Sequence, residues 1–166
     1  MDVKEAIEKR RSIRAYKRHE ISDSEIETLV KAAQLAPSAK NLQPCKFVIV
    51  RDAAVKKKVA QACPGQMFIA KASAIFCCVV NENTSRWASI DAAIAMEHIA
   101  LQATELGYGC CWIGAFDEAE VKKALKVPAN LKIVALMPVG KADEKPERRP
   151  RKGTEEFVFY EEYGKN

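Results

Sequence analysis

The chain contains no run of about 20 apolar residues free of charge, so no membrane-spanning helix is predicted. The opening residues Met1-Asp2-Val3-Lys4-Glu5 do not lead from a basic start into an apolar core. That predicts no secretory signal and a cytoplasmic protein. No Gly-x-Gly-x-x-Gly follows a first strand, and there is no Walker sequence, so neither a Rossmann site nor a P-loop is indicated. The only histidines are His19 and His98, too few for a histidine-based metal centre. Six cysteines occur (Cys45, Cys63, Cys77, Cys78, Cys110 and Cys111) without any Cys-x-x-Cys spacing. The adjacent pairs would point to opposite faces of a strand. No metal site is expected from them, and they read as small buried hydrophobes. No repeat, low-complexity segment or linker divides the chain.

What remains is one domain over residues 1–166. Hydrophobic residues make up 48% and charged residues 30%, with a net charge of +5. This suits a soluble protein with a sizeable core and an anionic small ligand. The basic residues are not interleaved with aromatics in one stripe, so neither nucleic acid nor membrane is expected as a partner. Asp2 and Glu5 can cap a first helix whose inner face carries Val3, Ala6 and Ile7. Ser22 and Glu25 form a capping-box pattern for a second, from about Ser22 to Ala36. Residues 46–50 read as a buried strand and 53–62 as a helix, with Lys56-Lys57-Lys58 on its exposed side. The apolar run 74–80 suits a central strand covered on both faces. From Arg86 to Leu106 runs a helix apolar nearly all round, which must be buried nearly all round; a partner subunit is the simplest cover. Residues 109–115 read as a strand, 117–125 as a short capped helix and 132–139 as another buried strand. The run Phe157–Tyr160 predicts an edge strand in the tail. Helices and strands alternate irregularly, which predicts an α+β sandwich around a mixed sheet.

Two arginine clusters stand at opposite ends: Arg10-Arg11-Ser12-Ile13-Arg14 and Arg148-Arg149-Pro150-Arg151-Lys152. The planar guanidinium grips phosphate through paired hydrogen bonds and keeps its charge. Each cluster alone also reads as a solvated basic patch; brought together they would form one anion clamp. Between them lies Ala36-Pro37-Ser38-Ala39-Lys40-Asn41-Leu42-Gln43-Pro44, a loop rich in amide and hydroxyl groups. Further on come Leu106-Gly107-Tyr108-Gly109-Cys110-Cys111-Trp112-Ile113-Gly114 and Met137-Pro138-Val139-Gly140-Lys141. In this order and spacing, across nearly the whole chain, these segments resemble the nitroreductase family of flavoproteins.

The resemblance implies an intertwined homodimer with FMN at the interface and residues 141–166 docking on the partner subunit. Arg10, Ser12, Arg149 and Arg151 would hold the phosphate and nearby ribityl hydroxyls. Arg11 would serve the ribityl chain or the backbone geometry, and Arg14 the pyrimidine end of the ring. Pro37, Ser38, Ala39 and Asn41 would bracket the ring from the second subunit. The backbone of Ile113 and Gly114 would face flavin N5, and Gln66 would touch the ring's amide edge or stand as a plain loop residue. Cys45 departs from the family, which often has an aromatic residue there. The implied activity is hydride transfer from NADH or NADPH through flavin N5 to a nitroaromatic, quinone or related small acceptor, in ping-pong order. No side chain is catalytic, because the cofactor carries the chemistry. The alternatives are a flavin-binding carrier without turnover, a basic nucleic-acid module, and a family member with changed chemistry such as dehalogenation.

Overall fold

The computed structural model describes residues 1–165. Local sequence sets most of the boundaries. Helix α1 (Val3–Lys9) starts where the Asp2 side chain accepts the Glu5 N–H. Helix α2 (Asp23–Gln34) starts on a complete Ser22–Glu25 capping box. Asp52 caps α3 (Ala53–Gln61) and Asp117 caps α5 (Glu118–Leu125) in the same way. Each such cap satisfies an N–H that the helix itself leaves open, and is worth about 1 kcal/mol. The long helix α4 (Ala88–Glu105) ends on Gly107, whose φ of 73° lets the Gly107 and Tyr108 N–H groups turn back to the carbonyls of Thr104 and Ala103.

Four strands, β1 (Cys45–Val50), β2 (Ala74–Val80), β3 (Gly109–Cys110) and β4 (Lys132–Gly140), form one sheet in the order β1-β2-β4-β3. Strand β2 is buried along its whole length. Its alternation divides the interior in two. Phe76, Cys78 and Val80 pack with Leu29, Met96 and Ile99 on the side of α2 and α4. Ile75, Cys77 and Val79 pack with Val59 and Val121 on the side of α3 and α5. The adjacent cysteines therefore serve opposite cores, as their spacing requires. All six thiols are free; Cys45 is half-buried and the rest are buried. Among the described residues no helix is long and apolar enough to cross a membrane.

The structure corrects the sequence reading in several places. All four strands pair antiparallel, and the parallel component is confined to an isolated bridge between Ser12 and Cys110. The strand expected over 109–115 breaks after Cys110 and touches the sheet again only where Ile113 bridges Leu136. On α1 only Ala6 is buried, while Val3 and Ile7 are 72% and 58% exposed. The helix lies mainly against α4, so one narrow stripe is covered. Lys56 does not stand free beside Lys57 and Lys58: its ammonium donates to the Ala72 carbonyl, and burial lowers its pKa. Among the described residues the tail forms no edge strand. Thr154–Phe157 is a single helical turn, α6, and Phe157 and Tyr160 are exposed. Val158 and Phe159 are half-buried, and the Phe159 ring packs at 4.8 Å, centroid to centroid, on Tyr163.

Candidate functional site

The two arginine clusters meet. Arg10, Arg11, Ser12 and Arg14 line one cavity of about 310 Å³ together with Arg148, Arg149 and Arg151, and Glu147 is the one acid on its wall. The backbone explains how. The Ile13 N–H donates to the Cys110 carbonyl at 2.9 Å, which lays residues 12–13 beside β3. The Lys17 N–H then donates to the Lys141 carbonyl and the Asp143 N–H to the Ala15 carbonyl, both at 2.9 Å. The chain leaving β4 is thus stitched to the segment that carries the first cluster, and the second cluster follows within a few residues. Tyr16 fastens the same place, with its buried hydroxyl donating to the Ile13 carbonyl at 2.8 Å. Burial pushes that phenol's pKa up, so it stays a neutral donor.

Two glycines make the approach possible. A β-carbon on Gly109 would sit 2.5 Å from Ile13 Cγ1, and one on Gly140 2.9 Å from Tyr16 Cδ1. Both are closer than carbon atoms can stand without displacement, so the small residue is what lets the arginine segment lie flat on the sheet.

Much of the positive charge in the cavity is not neutralised. The Arg10 Nε lies 3.9 Å from Glu97 Oε1, a long contact. Arg11 donates to the carbonyls of Glu8 and Arg10, and Arg151 to those of Arg149 and Pro150. Glu144 accepts the backbone N–H of Arg14 and leaves its guanidinium unengaged among the described residues. The arginine charge is felt just past β3: burial raises the Cys111 thiol, and Arg14, a Ser12 hydrogen bond and Arg10 pull against it. Six arginines and one acid on its wall give the cavity the charge and donors that suit an anion.

The remaining predicted residues fall elsewhere. Pro37, Ser38, Ala39 and Asn41 line no part of the arginine cavity. They form a tight turn in which Ser38 Oγ accepts the Gln43 N–H at 3.0 Å, and Lys40, Asn41 and Gln43 all have positive φ. Gln66 donates to the Ala115 carbonyl at 2.8 Å, so its amide nitrogen braces residues 113–115. Both backbone groups of Ile113 are used by Leu136, which removes its N–H from any ligand. The Gly114 N–H has no acceptor among the described residues, and Gly114 borders open space. Trp112 packs against the core, and its indole N–H reaches Glu97 Oε2 at 3.2 Å. The sequence reading missed Glu97, Glu144 and Asp91 as local partners. The signal for Glu97 and Asp91 was a carboxylate on an otherwise apolar helix, which needs a donor.

The chain is similar to known proteins in both sequence and fold. A sequence model of the Nitroreductase family matches residues 7–81 and 68–141. A protein of Archaeoglobus fulgidus, provisionally named NADH dehydrogenase/NAD(P)H nitroreductase, is 38% identical over 140 residues, 79% of this chain and 80% of its own length. The crystal structure of a nitroreductase family protein from Clostridium novyi NT is 35% identical. It superposes with a TM-score of 0.81 over 99% of this chain and 96% of its own. An FMN-dependent nitroreductase from Clostridium difficile R20291 is 28% identical, with a TM-score of 0.86 over 95% of this chain and 98% of its own.

Proposed function

Because the chain belongs to the nitroreductase family, we propose that it is an FMN-dependent oxidoreductase. It takes reducing equivalents from NADH or NADPH and delivers them to a nitroaromatic, a quinone or a related small acceptor. The observation that carries this reading is the convergence of residues 10–14 and 148–151 on one cavity rich in unneutralised arginine. A terminal phosphomonoester is the group that such a cavity fits. No residue pattern for an adenosine half accompanies it, which favours FMN over FAD.

In this assignment Arg10, Ser12, Arg149 and Arg151 hold the phosphate and neighbouring hydroxyls, Arg11 supports the ribityl chain, and Arg14 supplies fixed positive charge at the pyrimidine end. When bound, FMN supplies the two-electron redox centre that the side chains lack. The unspent Gly114 N–H is the donor offered to the ring edge, and Gln66 keeps that backbone in place through Ala115. Pro37, Ser38, Ala39 and Asn41 bracket the ring from a second subunit, a role supported by their separation from the arginine cavity within one chain. The exposed apolar side chains Val3, Ile7, Leu35 and Ile90 support a homodimer, with residues 141–166 docking on the partner. NAD(P)H and the acceptor use the same face in turn, giving ping-pong order, and the setting is the cytoplasm.

Denaturing the purified protein should release FMN; released FAD would overturn the phosphate assignment. Arg10→Ala and Arg149→Ala should each weaken FMN binding by about tenfold to a hundredfold, the worth of one charge-assisted hydrogen bond. Riboflavin, which lacks the phosphate, should bind native and variant proteins with closely similar affinity in the same titration. Initial rates with a quinone acceptor should give parallel double-reciprocal lines.

A further inference from the structure

A cavity of about 600 Å³ lies where β1 ends and β2 begins, and it shares no lining residue with the arginine cavity. Four cations stand on its wall, each from a different stretch of chain. Arg18 comes from the segment before α2, Arg51 from the end of β1, Lys56 from the first turn of α3, and Lys71 from the approach to β2. Glu20 is the one acid on that wall. The frame is fixed by the backbone of residues 18–21. The Ser73 hydroxyl donates to the His19 carbonyl at 2.8 Å, and Arg51 Nη2 donates to the Ile21 carbonyl at 3.0 Å. The segment is thus fastened to the ends of both strands.

Three of the four cations are left to act on a ligand. Arg51 is paired with Asp23. Arg18 and Lys71 are exposed and have no hydrogen bond or ion pair among the described residues. The Lys56 ammonium is aimed by its bond to the Ala72 carbonyl and keeps two further hydrogens to donate. Burial lowers the Lys56 pKa, and Asp52 pulls against it without forming an ion pair. That site removes water from an ammonium without putting a carboxylate in contact with it, a deficit that a bound anion makes good. Phosphate oxygens suit both donor types, because the arginine fork grips two at once and lysine acts as a point charge. The volume falls within the roughly 300–1,000 Å³ of small-molecule sites and is much larger than one phosphate. A chain of phosphates therefore meets cations spread around the wall, and a lone one does not. Tyr16, the one phenol on the wall, is buried, which leaves no broad aromatic platform for the stacked bases of a nucleic acid.

We propose that this cavity is a second anion site, taking a linear oligophosphate, either free or as the phosphate chain of a nucleotide, with Arg18, Lys56 and Lys71 as its donors. The site does not depend on the flavin assignment, because none of its lining residues belongs to the arginine cavity.

Tripolyphosphate is the probe, with the full-length protein as purified. Limited acetylation mapped by peptide mass spectrometry reports on single lysines. Tripolyphosphate should protect Lys56 and Lys71 and leave Lys57 and Lys58 unprotected, since these exposed neighbours on α3 line no part of the cavity. By calorimetry it should bind at least about tenfold more tightly than monophosphate, as expected for one further charge-assisted bond. Arg18→Ala and Lys71→Ala should each cost about tenfold or more. Both side chains are exposed and unpaired, so neither variant disturbs a packed contact. The Arg10→Ala, Arg149→Ala double variant, which weakens only the other cavity, should keep this binding and the protection of Lys56 and Lys71. An ADP that binds more tightly than pyrophosphate would identify a nucleotide as the source of the phosphate chain; equal or weaker binding would identify a free oligophosphate. Equal affinity for monophosphate, equal protection of Lys57 and Lys58, undiminished affinity in Arg18→Ala or Lys71→Ala, or binding that disappears with Arg10 and Arg149 would overturn the proposal. Failure to bind at all, whatever else covers the cavity, would overturn it equally.

Discussion

At the scale of single residues, charge is only half of the anion site; the other half is the absence of a side chain. Six arginines supply the charge, and Gly109 and Gly140 let the segment carrying four of its lining residues settle on the sheet. Gly109→Ala places a methyl group against Ile13 in a packed interior. It should cost about 1–3 kcal/mol of stability in urea unfolding and should also loosen anion binding, whereas Gly114→Ala, which meets open space, should leave stability little changed. The arginines were legible in the sequence because their chemistry does not depend on neighbours. Asp91, Glu97 and Glu144 were not, because an acid's role follows from whichever donor the fold brings to it. Gly109 reads in sequence as part of a turn; its role is close packing against a residue almost a hundred positions away, which no local pattern encodes.

At the scale of elements, helices announced themselves through their first turns, and strands only through length. Ser22, Asp52 and Asp117 each mark a helix start that the structure keeps. The run 74–80 marks the central strand because both faces are buried. Residues 109–115 carry a similar apolar density, yet the ladder ends at Cys110 and the chain meets β4 again only where Ile113 bridges Leu136. The α2 start also gives a pH-dependent handle. Hydrogen bonds from the Ser22 side chain and then its backbone hold Glu25 down to about 2, below the ordinary glutamate value of about 4.3. A depressed carboxyl contributes stability that is present above the unfolded value and is lost as pH falls through the folded one. Ser22→Ala should therefore cost about 1 kcal/mol near neutrality, and the difference from the native protein should shrink between about pH 4.3 and pH 2 in denaturant titrations.

At the scale of the whole molecule, the arginine cavity and the 37–41 turn are separate in one chain and, in the proposed dimer, complete each other's site. Mixing two crippled chains tests this. One chain carries Arg10→Glu and Arg14→Glu, the other Ser38→Trp and Asn41→Trp. Each alone should lose FMN, while co-refolding should restore it in roughly a quarter of all sites, because half the dimers are mixed and each has one undamaged site. Confirmed mixed dimers without recovery would place both groups of residues in a site built from one chain. The cavity's own construction has a further consequence, for biosynthesis. Its walls come from residues 10–14 and 146–151, with the entire sheet made in between. Both segments must therefore be made before the cavity can close. In the proposed assignment a bound phosphate would act as a clasp across residues 10–14 and 148–151, holding shut the contact on which its own retention depends.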